Sequence, residues 1–581
     1  MFLPATRKEC RALGWKRLDI ILVSGDAYID SPFIGVAVIG RVLVDAGFRV
    51  GIIAQPETGS GTDITRLGEP LLFWGVSGGC IDSMVANRTA SGRRRLRDDY
   101  TPGGRNDRRP DRAVLVYTNL IRSHFKQTRP IVLGGIEASL RRISHYDYWS
   151  DRVRRSVLVD AKADFLLYGM AERSAVELAR CLRQGGDPRT IRGLCYLARE
   201  VPPETLILPG HDEVAGDHGA FVRMFSGFYR NQDPRTGRRL AQRQDSRYLV
   251  QNPPQPPLST GELDHVHELP FERDLHPAHR ARGEVRALET IRFAIATHRG
   301  CYGECNFCAI AVHQGRTVHW RSQESILREA GVIAAHPRFR GTISDVGGPT
   351  ANMYGFECGR KLERGSCPGK RCLFPAVCPS LKIDHAPQLE LLRKLRQVRG
   401  VKKVVVASGI RYDMILADRK NGLPYLREVI RHHVSGQMKV APEHCVQRVL
   451  ACMGKPGPES LLAFRDLFSR LTEKEGLRQF LTYYIIAAHP GCTLGDMREL
   501  RRFARSRLKT LPRQVQIFTP TPSTWSTLMY LTGRDPFADA PCFVEKTVRG
   551  REAQKAVLTG DGRRGGTAGT GKDRRRKRSG R

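Results

Sequence analysis

Beyond about residue 283, short apolar runs alternate with helical patterns, and few folds accept that rhythm. The runs cover residues 289–297, 341–346, 401–408, 437–440, 479–487 and 514–518, with helical spacing over 322–335, 387–399, 423–433, 458–475 and 494–507. Ser322 is placed to cap the first helix, with Glu324 and Glu329 on its polar face. Six strands separated by helices predict a (β/α)6 partial barrel over 281–530. Chemistry in such a barrel sits at the carboxyl ends of the strands.

The loop after the first strand reads Cys301-Tyr302-Gly303-Glu304-Cys305-Asn306-Phe307-Cys308, spaced C-x3-C-x2-C. A loop this tight can aim three thiolates at one centre. A closed structural zinc site wants four ligands. Three suit a [4Fe–4S] cluster that leaves one iron without a protein ligand. A zinc completed by His298 or His313, and a plain electron-transfer cluster, are the alternatives. A second group, Cys358, Cys367, Cys372 and Cys378, lies in a Gly/Lys/Pro-rich insert (355–380) and could hold a zinc or a second cluster. Of fifteen cysteines, eight fall between 301 and 445. With no signal peptide expected, that clustering favours metal or redox ligation over disulfides.

Residues 1–200 carry their own alternation. Apolar runs at 18–24, 49–54, 71–76, 130–133 and 165–168, with a helical stretch at 35–46, predict a Rossmann-like parallel sheet covered on both faces. Its ligand loops would be Ser24-Gly25-Asp26, Ser77-Gly78-Gly79 and Gly134-Gly135-Ile136-Glu137-Ala138-Ser139. None is a G-x-G-x-x-G fingerprint, and tight turns without a ligand explain the glycines equally well. Cobalamin-binding domains of this shape carry Asp-x-His-x-x-Gly, whose His ligates cobalt. The stretch Asp30-Ser31-Pro32-Phe33-Ile34-Gly35 has proline in that place, and the cofactor is not expected. Residues 201–280 are Pro-, His- and charge-rich and read as a connector with little strand. Residues 225–232 are too short to interpret.

The net charge is +36, of which residues 563–581 supply +8. A polyanionic partner is one reading, and arginine-rich codon usage is the other. Residues 531–581 form a short extension with a basic, disordered tail. Within it Gly566 to Asp573 matches G-x4-G-K, but Asp573 stands where a P-loop needs Ser or Thr, and no strand precedes it. No 18-residue apolar run exists, so a cytoplasmic protein is expected.

The cysteine loop resembles that of the radical S-adenosylmethionine (SAM) superfamily. The stretches at 20–28, 134–142 and 145–151 resemble more specifically its YgiQ-type family, and the similarity spans roughly residues 1–545. The resemblance implies a Rossmann-like domain, a radical SAM barrel and a short extension. It also implies a [4Fe–4S] cluster on Cys301, Cys305 and Cys308 that cleaves SAM reductively, with an electron donor such as flavodoxin or ferredoxin. SAM contacts follow from the strand ends. Gly347 and Gly348 of Asp345-Val346-Gly347-Gly348-Pro349 would meet the amino group. Ser408 and Arg411 would meet ribose or carboxylate, and Glu443 a ribose hydroxyl. Ala488-His489-Pro490-Gly491 ends the fifth strand. Pro349 stands where many superfamily members have an acid, so only backbone contact is implied there. The substrate does not carry over. Modification of RNA, and a non-catalytic Fe–S or zinc protein that binds nucleic acid, are the competing readings.

Overall fold

The computed structural model describes residues 1–369 and 371–560; the Gly566–Asp573 match and the basic tail from 561 lie outside them. The N-terminal sheet is built on β1 (Ile20–Ser24), β2 (Val50–Ala54), β3 (Phe73–Ser77), β4 (Ile131–Gly134) and β5 (Phe165–Leu167). These pair in parallel in the order β2-β1-β3-β4-β5, a doubly wound arrangement. β1 is apolar at four successive positions because both its faces are covered. Ile21 and Val23 pack with Trp74, Val76 and Tyr117 beneath α2 (Ala113–His124). Ile20 and Leu22 pack with Leu43 and Leu178, beneath α1 (Gly35–Asp45) and α3 (Glu172–Arg183).

The sheet does not stop near residue 200. β6 (Leu194–Ala198), β7 (Leu206–Leu208), β8 (Leu240–Gln244) and β9 (Arg247–Gln251) extend it to nine strands, ordered β7-β8-β9-β6-β5 along the new edge. The expected connector is therefore largely sheet and helix, including α4 (His218–Arg230), which takes in residues 225–230 of the uninterpreted stretch. Its strands read as polar because their glutamines are buried and bonded. Gln242 accepts from Ser144 N (2.9 Å), Gln244 from Ser156 N (3.2 Å) and Gln251 from Arg142 Nε (2.9 Å). Residues 260–268 form a further helix, α5 (Thr260–Glu268).

The second unit is the partial barrel. Its strands are β10 (Ala294–Ala296), β11 (Asp345–Gly347), β12 (Lys403–Val404), β13 (Gln437–Glu443), β14 (Phe480–Ala487) and β15 (Gln514–Ile517). β10 pairs with β11, and Thr342–Ile343 just before β11 pairs with β12. A parallel bridge from Ile410 to Val440 links β12's extension to β13, and β13-β14-β15 close the series. The first strand is shorter than expected, since residues 287–291 are helical. Ser322 caps α6 (Gln323–Ala335) as expected, accepting from Ser325 N at 3.1 Å. Glu329 is not on a polar face; it is buried and paired with Arg273 and Arg321. After the barrel, α11 (Trp525–Thr532; three helices, α8 Gln447–Met453, α9 Pro458–Lys474 and α10 Leu494–Phe503, precede it, with α7 Ala386–Leu395 before them) packs against α4, and α12 (Val548–Thr559) packs on α10 and β15.

The carboxyl-end loops of the sheet face the mouth of the barrel. Arg299 pairs with Glu172 (2.6 Å), His313 Nδ1 lies 3.1 Å from Ser139 Oγ, and the Tyr229 hydroxyl donates to Glu304 Oε1 (3.1 Å). No helix among the described residues is long and apolar enough to cross a membrane.

Candidate iron–sulfur and SAM site

Cys301, Cys305 and Cys308 sit on the loop that follows β10, all half-buried. Gly303 N–H donates to Cys301 Sγ (3.3 Å). A Cβ on Gly303 would lie 3.2 Å from Cys301 Sγ and 3.7 Å from Cys305 Sγ, so a side chain there would crowd the nearer sulfur. Thr350 Oγ1 stands 3.7 Å from Cys301 Sγ, and Arg411 Nη1 3.9 Å from Cys305 Sγ. Burial, then the neighbouring Cys305, pushes the Cys301 thiol up and the Cys308 thiol up to about 12. Deprotonating Cys301 and Cys308 there costs desolvation and mutual repulsion, which bound cations would offset. Among the described residues no three His, Cys, Asp or Glu side chains converge on a single ion. A cubane asks for something looser, because each thiolate ligates a different iron. Three thiols on one loop suit a [4Fe–4S] cluster that leaves one iron to another ligand.

The loop is pinned from several sides. Asn306 N donates to Met453 O (2.9 Å) and its Nδ2 to Cys452 O (2.8 Å), both at the end of α8. Glu304 has φ +44° and is held by Tyr229 and by Arg316 (3.3 Å). Positive φ recurs at Glu443 (+67°) and Ala488 (+57°), the ends of β13 and β14, where a register shift interrupts pairing between Val440 and Glu443. Non-glycine residues held in this region store strain that the surrounding structure must over-determine.

The five expected SAM-contact residues fall into two groups. Arg411 and Glu443 flank the cysteine loop. Arg411 is fixed by Asn352, which accepts from its N–H (2.8 Å) and donates to its carbonyl (3.0 Å), and by Asp413 (Nε to Oδ1, 2.8 Å). Burial pushes the Glu443 carboxyl up, against the pull of Lys455 at 3.7 Å. Gly347, Gly348 and Ser408 instead line a cavity. The Gly347 carbonyl already accepts from Thr297 N (2.8 Å), and the Ser408 hydroxyl donates to Asp345. Asn352, Thr350, Glu304 and Asp345 are structural partners that sequence reasoning passed over. Their only signal was position, inside or just after motifs already singled out.

The cavity encloses about 470 Å³ between the two units. Ser24, Ser77, Gly79, Gly134 and Gly135 of the sheet's ligand loops form one side, and Gly347, Gly348, Pro349 and Ser408 of the barrel the other. Gly25 itself serves packing, since a Cβ there would meet Gly78 O at 2.2 Å. In the second cysteine group, Cys358, Cys372 and Cys378 join one small apolar cluster with Tyr302 of the first loop. Lys361 Nζ lies 3.8 Å from Cys372 Sγ.

A family model described as Radical SAM N-terminal matches residues 2–294. The chain is 54% identical over 559 residues to the UPF0313 protein FN0734 of Fusobacterium nucleatum, covering 96% of this chain and 98% of that one. The chain belongs to the UPF0313 family. The UPF0313 protein of Thermotoga maritima is similar along the same span, at 49% identity with 96% and 98% covered. The resemblance to the radical SAM superfamily read from the cysteine loop is thereby shown at the level of family. Among solved structures, the radical SAM methyltransferase TsrM from Kitasatospora setae, with cobalamin and a [4Fe–4S] cluster bound, is similar to this UPF0313 chain with TM-score 0.48 and 15% identity, covering 93% of this chain and 84% of that one. The cobalamin-dependent SAM radical enzyme OxsB gives TM-score 0.48 and 11% identity, with 90% and 57% covered.

Proposed function

We propose that this UPF0313 protein is a radical SAM enzyme. The observation that carries the reading is the half-buried three-thiol loop at the carboxyl end of β10, with Arg411 and Glu443 beside it. Cys301, Cys305 and Cys308 hold the [4Fe–4S] cluster. When bound and reduced by one electron, the cluster supplies homolytic cleavage of a SAM C–S bond. The protein's part is to hold SAM in one pose and keep water out. Gly347 and Gly348 present bare backbone to the amino group. Arg411, preset by Asn352 and Asp413, takes the carboxylate, and Glu443 accepts from a ribose hydroxyl. Ser408, its hydroxyl turned to Asp345, shapes the wall beside the ribose. Flavodoxin or ferredoxin delivers the electron, and Cys358, Cys367, Cys372 and Cys378 take a second cluster or a zinc.

Anaerobic reconstitution with iron and sulfide, then dithionite and SAM, tests the reading. Wild type is expected to form 5′-deoxyadenosine and the Cys305→Ala variant none. A reconstituted wild type that carries the cluster but leaves SAM intact, with candidate substrates present, rejects it.

A further inference from the structure

We propose that the substrate is a small amphipathic molecule that occupies the cavity between the two units. Its apolar ring or chain lies in a slot beneath the N-terminal sheet, and its hydrogen-bond-donating end lies at Glu172. The word substrate rests on the radical SAM reading; the binding site does not.

Position comes first. The barrel wall of the cavity is made by Gly347, Gly348 and Ser408, so an occupant lies against the loops assigned to SAM. From there the cavity runs under the sheet, between Leu22, Val132 and Leu167 on the strands and Val38 and Ala175 on α1 and α3. This is the crevice at the carboxyl ends of the strands where open α/β sheets take ligands. Its depth is apolar.

The walls also carry Asp26, Asp345, His298, His313 and Gln314, and beside Arg299 stand two buried side chains with an unpartnered atom each. Glu172 and His267 are 3% and 5% exposed, and Glu172 Oε2 and His267 Nδ1 have no hydrogen-bond partner. Glu172 uses its other oxygen on Arg299. Burial, then nearby Arg321 and Arg299, holds the His267 imidazole far below its ordinary range, so the ring is neutral. A buried polar atom without a partner destabilises the empty site, and a ligand's own polar group can satisfy it. A carboxylate only accepts, so the ligand must bring an N–H or O–H.

Charge argues against a polynucleotide. Arg299 is the only Lys or Arg on the described walls, and Glu172 neutralises it. Phosphate chains are bound by rows of free cations. The cavity is instead the size of a site for one small molecule.

The test uses 2-naphthol, a fluorescent apolar bicycle with a single hydroxyl donor, titrated into the full-length reconstituted protein. Saturable binding at one site per chain is expected. Ala175→Leu fills the slot and Glu172→Gln weakens the acceptor, and each is expected to lower affinity about tenfold, the usual effect of one blocked apolar contact or one charged hydrogen bond. Thermal melts check folding, and Val38→Phe on α1 replaces Ala175→Leu if that variant unfolds. Absent binding, or binding indifferent to both the filled slot and Glu172→Gln, overturns the proposal. So does transfer RNA that displaces 2-naphthol, or hydroxocobalamin that takes the slot in its place and is lost in Ala175→Leu. Formation of 5′-deoxyadenosine on the same preparation reads the enzyme assignment separately. Cleavage of SAM without 2-naphthol binding rejects only the site, and binding without cleavage rejects only the enzyme.

Discussion

At the residue scale, Gly303 stands where any side chain would crowd the cysteine loop. A side chain there presses on Cys301 Sγ and on Arg411 Nη1, each 3.2 Å from the would-be Cβ. Gly303→Val is expected to cost about 1–3 kcal/mol of overpacking. The melting temperature of the metal-free protein should fall, and iron and sulfide per chain after reconstitution should fall several-fold. Tyr229 acts from the other unit. Tyr229→Phe removes the hydroxyl that holds Glu304 and is expected to cost about 1.5–3 kcal/mol, the range for a hydrogen bond to a charged group. Its readout is faster bleaching of the cluster's visible absorbance in air, with Glu304→Ala at least as fast.

At the scale of elements, a relay of hydrogen bonds sets the loop after β12. Asp418 accepts from His385 N–H and Nδ1–H (2.8 Å each); His385 Nε2 accepts from Asn352 Nδ2 (3.1 Å); Asn352 fixes Arg411. Burial raises the Asp418 carboxyl, but the bonds from His385 and Asn421 outweigh it and hold the group at about 2, against an ordinary 3.8. A depressed carboxylate contributes stability above its unfolded value and loses it as pH falls. Asp418→Asn is therefore expected to cost about 1–2 kcal/mol at pH 7, with the gap to wild type closing between pH 4 and pH 2 in denaturant titrations. Elements whose faces are uniformly covered were legible in the sequence. β1 is apolar at four of its five positions and β2 carries no polar side chain, and the cysteine spacing needs no context. The β8–β9 hairpin was not legible, because its buried Gln242, Gln244 and Gln251 look like linker residues until Ser144, Ser156 and Arg142 arrive from elsewhere. Glu329 misled for the same reason, its partners Arg273 and Arg321 being distant or unremarkable in the chain. The cavity was invisible, since no single element contains it. The ligand loops on its sheet side were read as loops, with glycines that suited turns equally well.

At the scale of the molecule, the two units share a core. Val312, Phe518, Leu528 and Tyr530 of the barrel and extension belong to the same apolar cluster as Ile21, Trp74 and Tyr146 of the sheet. Trp525 packs edge-on to Phe225 of α4, ring centroids 4.8 Å apart. Calorimetry is therefore expected to show one cooperative transition rather than two, and residues 281–560 expressed without the sheet should aggregate. Two resolved transitions would contradict a common core.

The cavity lies between units that Arg299–Glu172 and Tyr229–Glu304 hold together. Its two walls belong to one folding unit, so the room inside is set by the shared core rather than by a flexible joint. A substitution that shifts that core on either side reshapes the cavity without touching a residue that lines it.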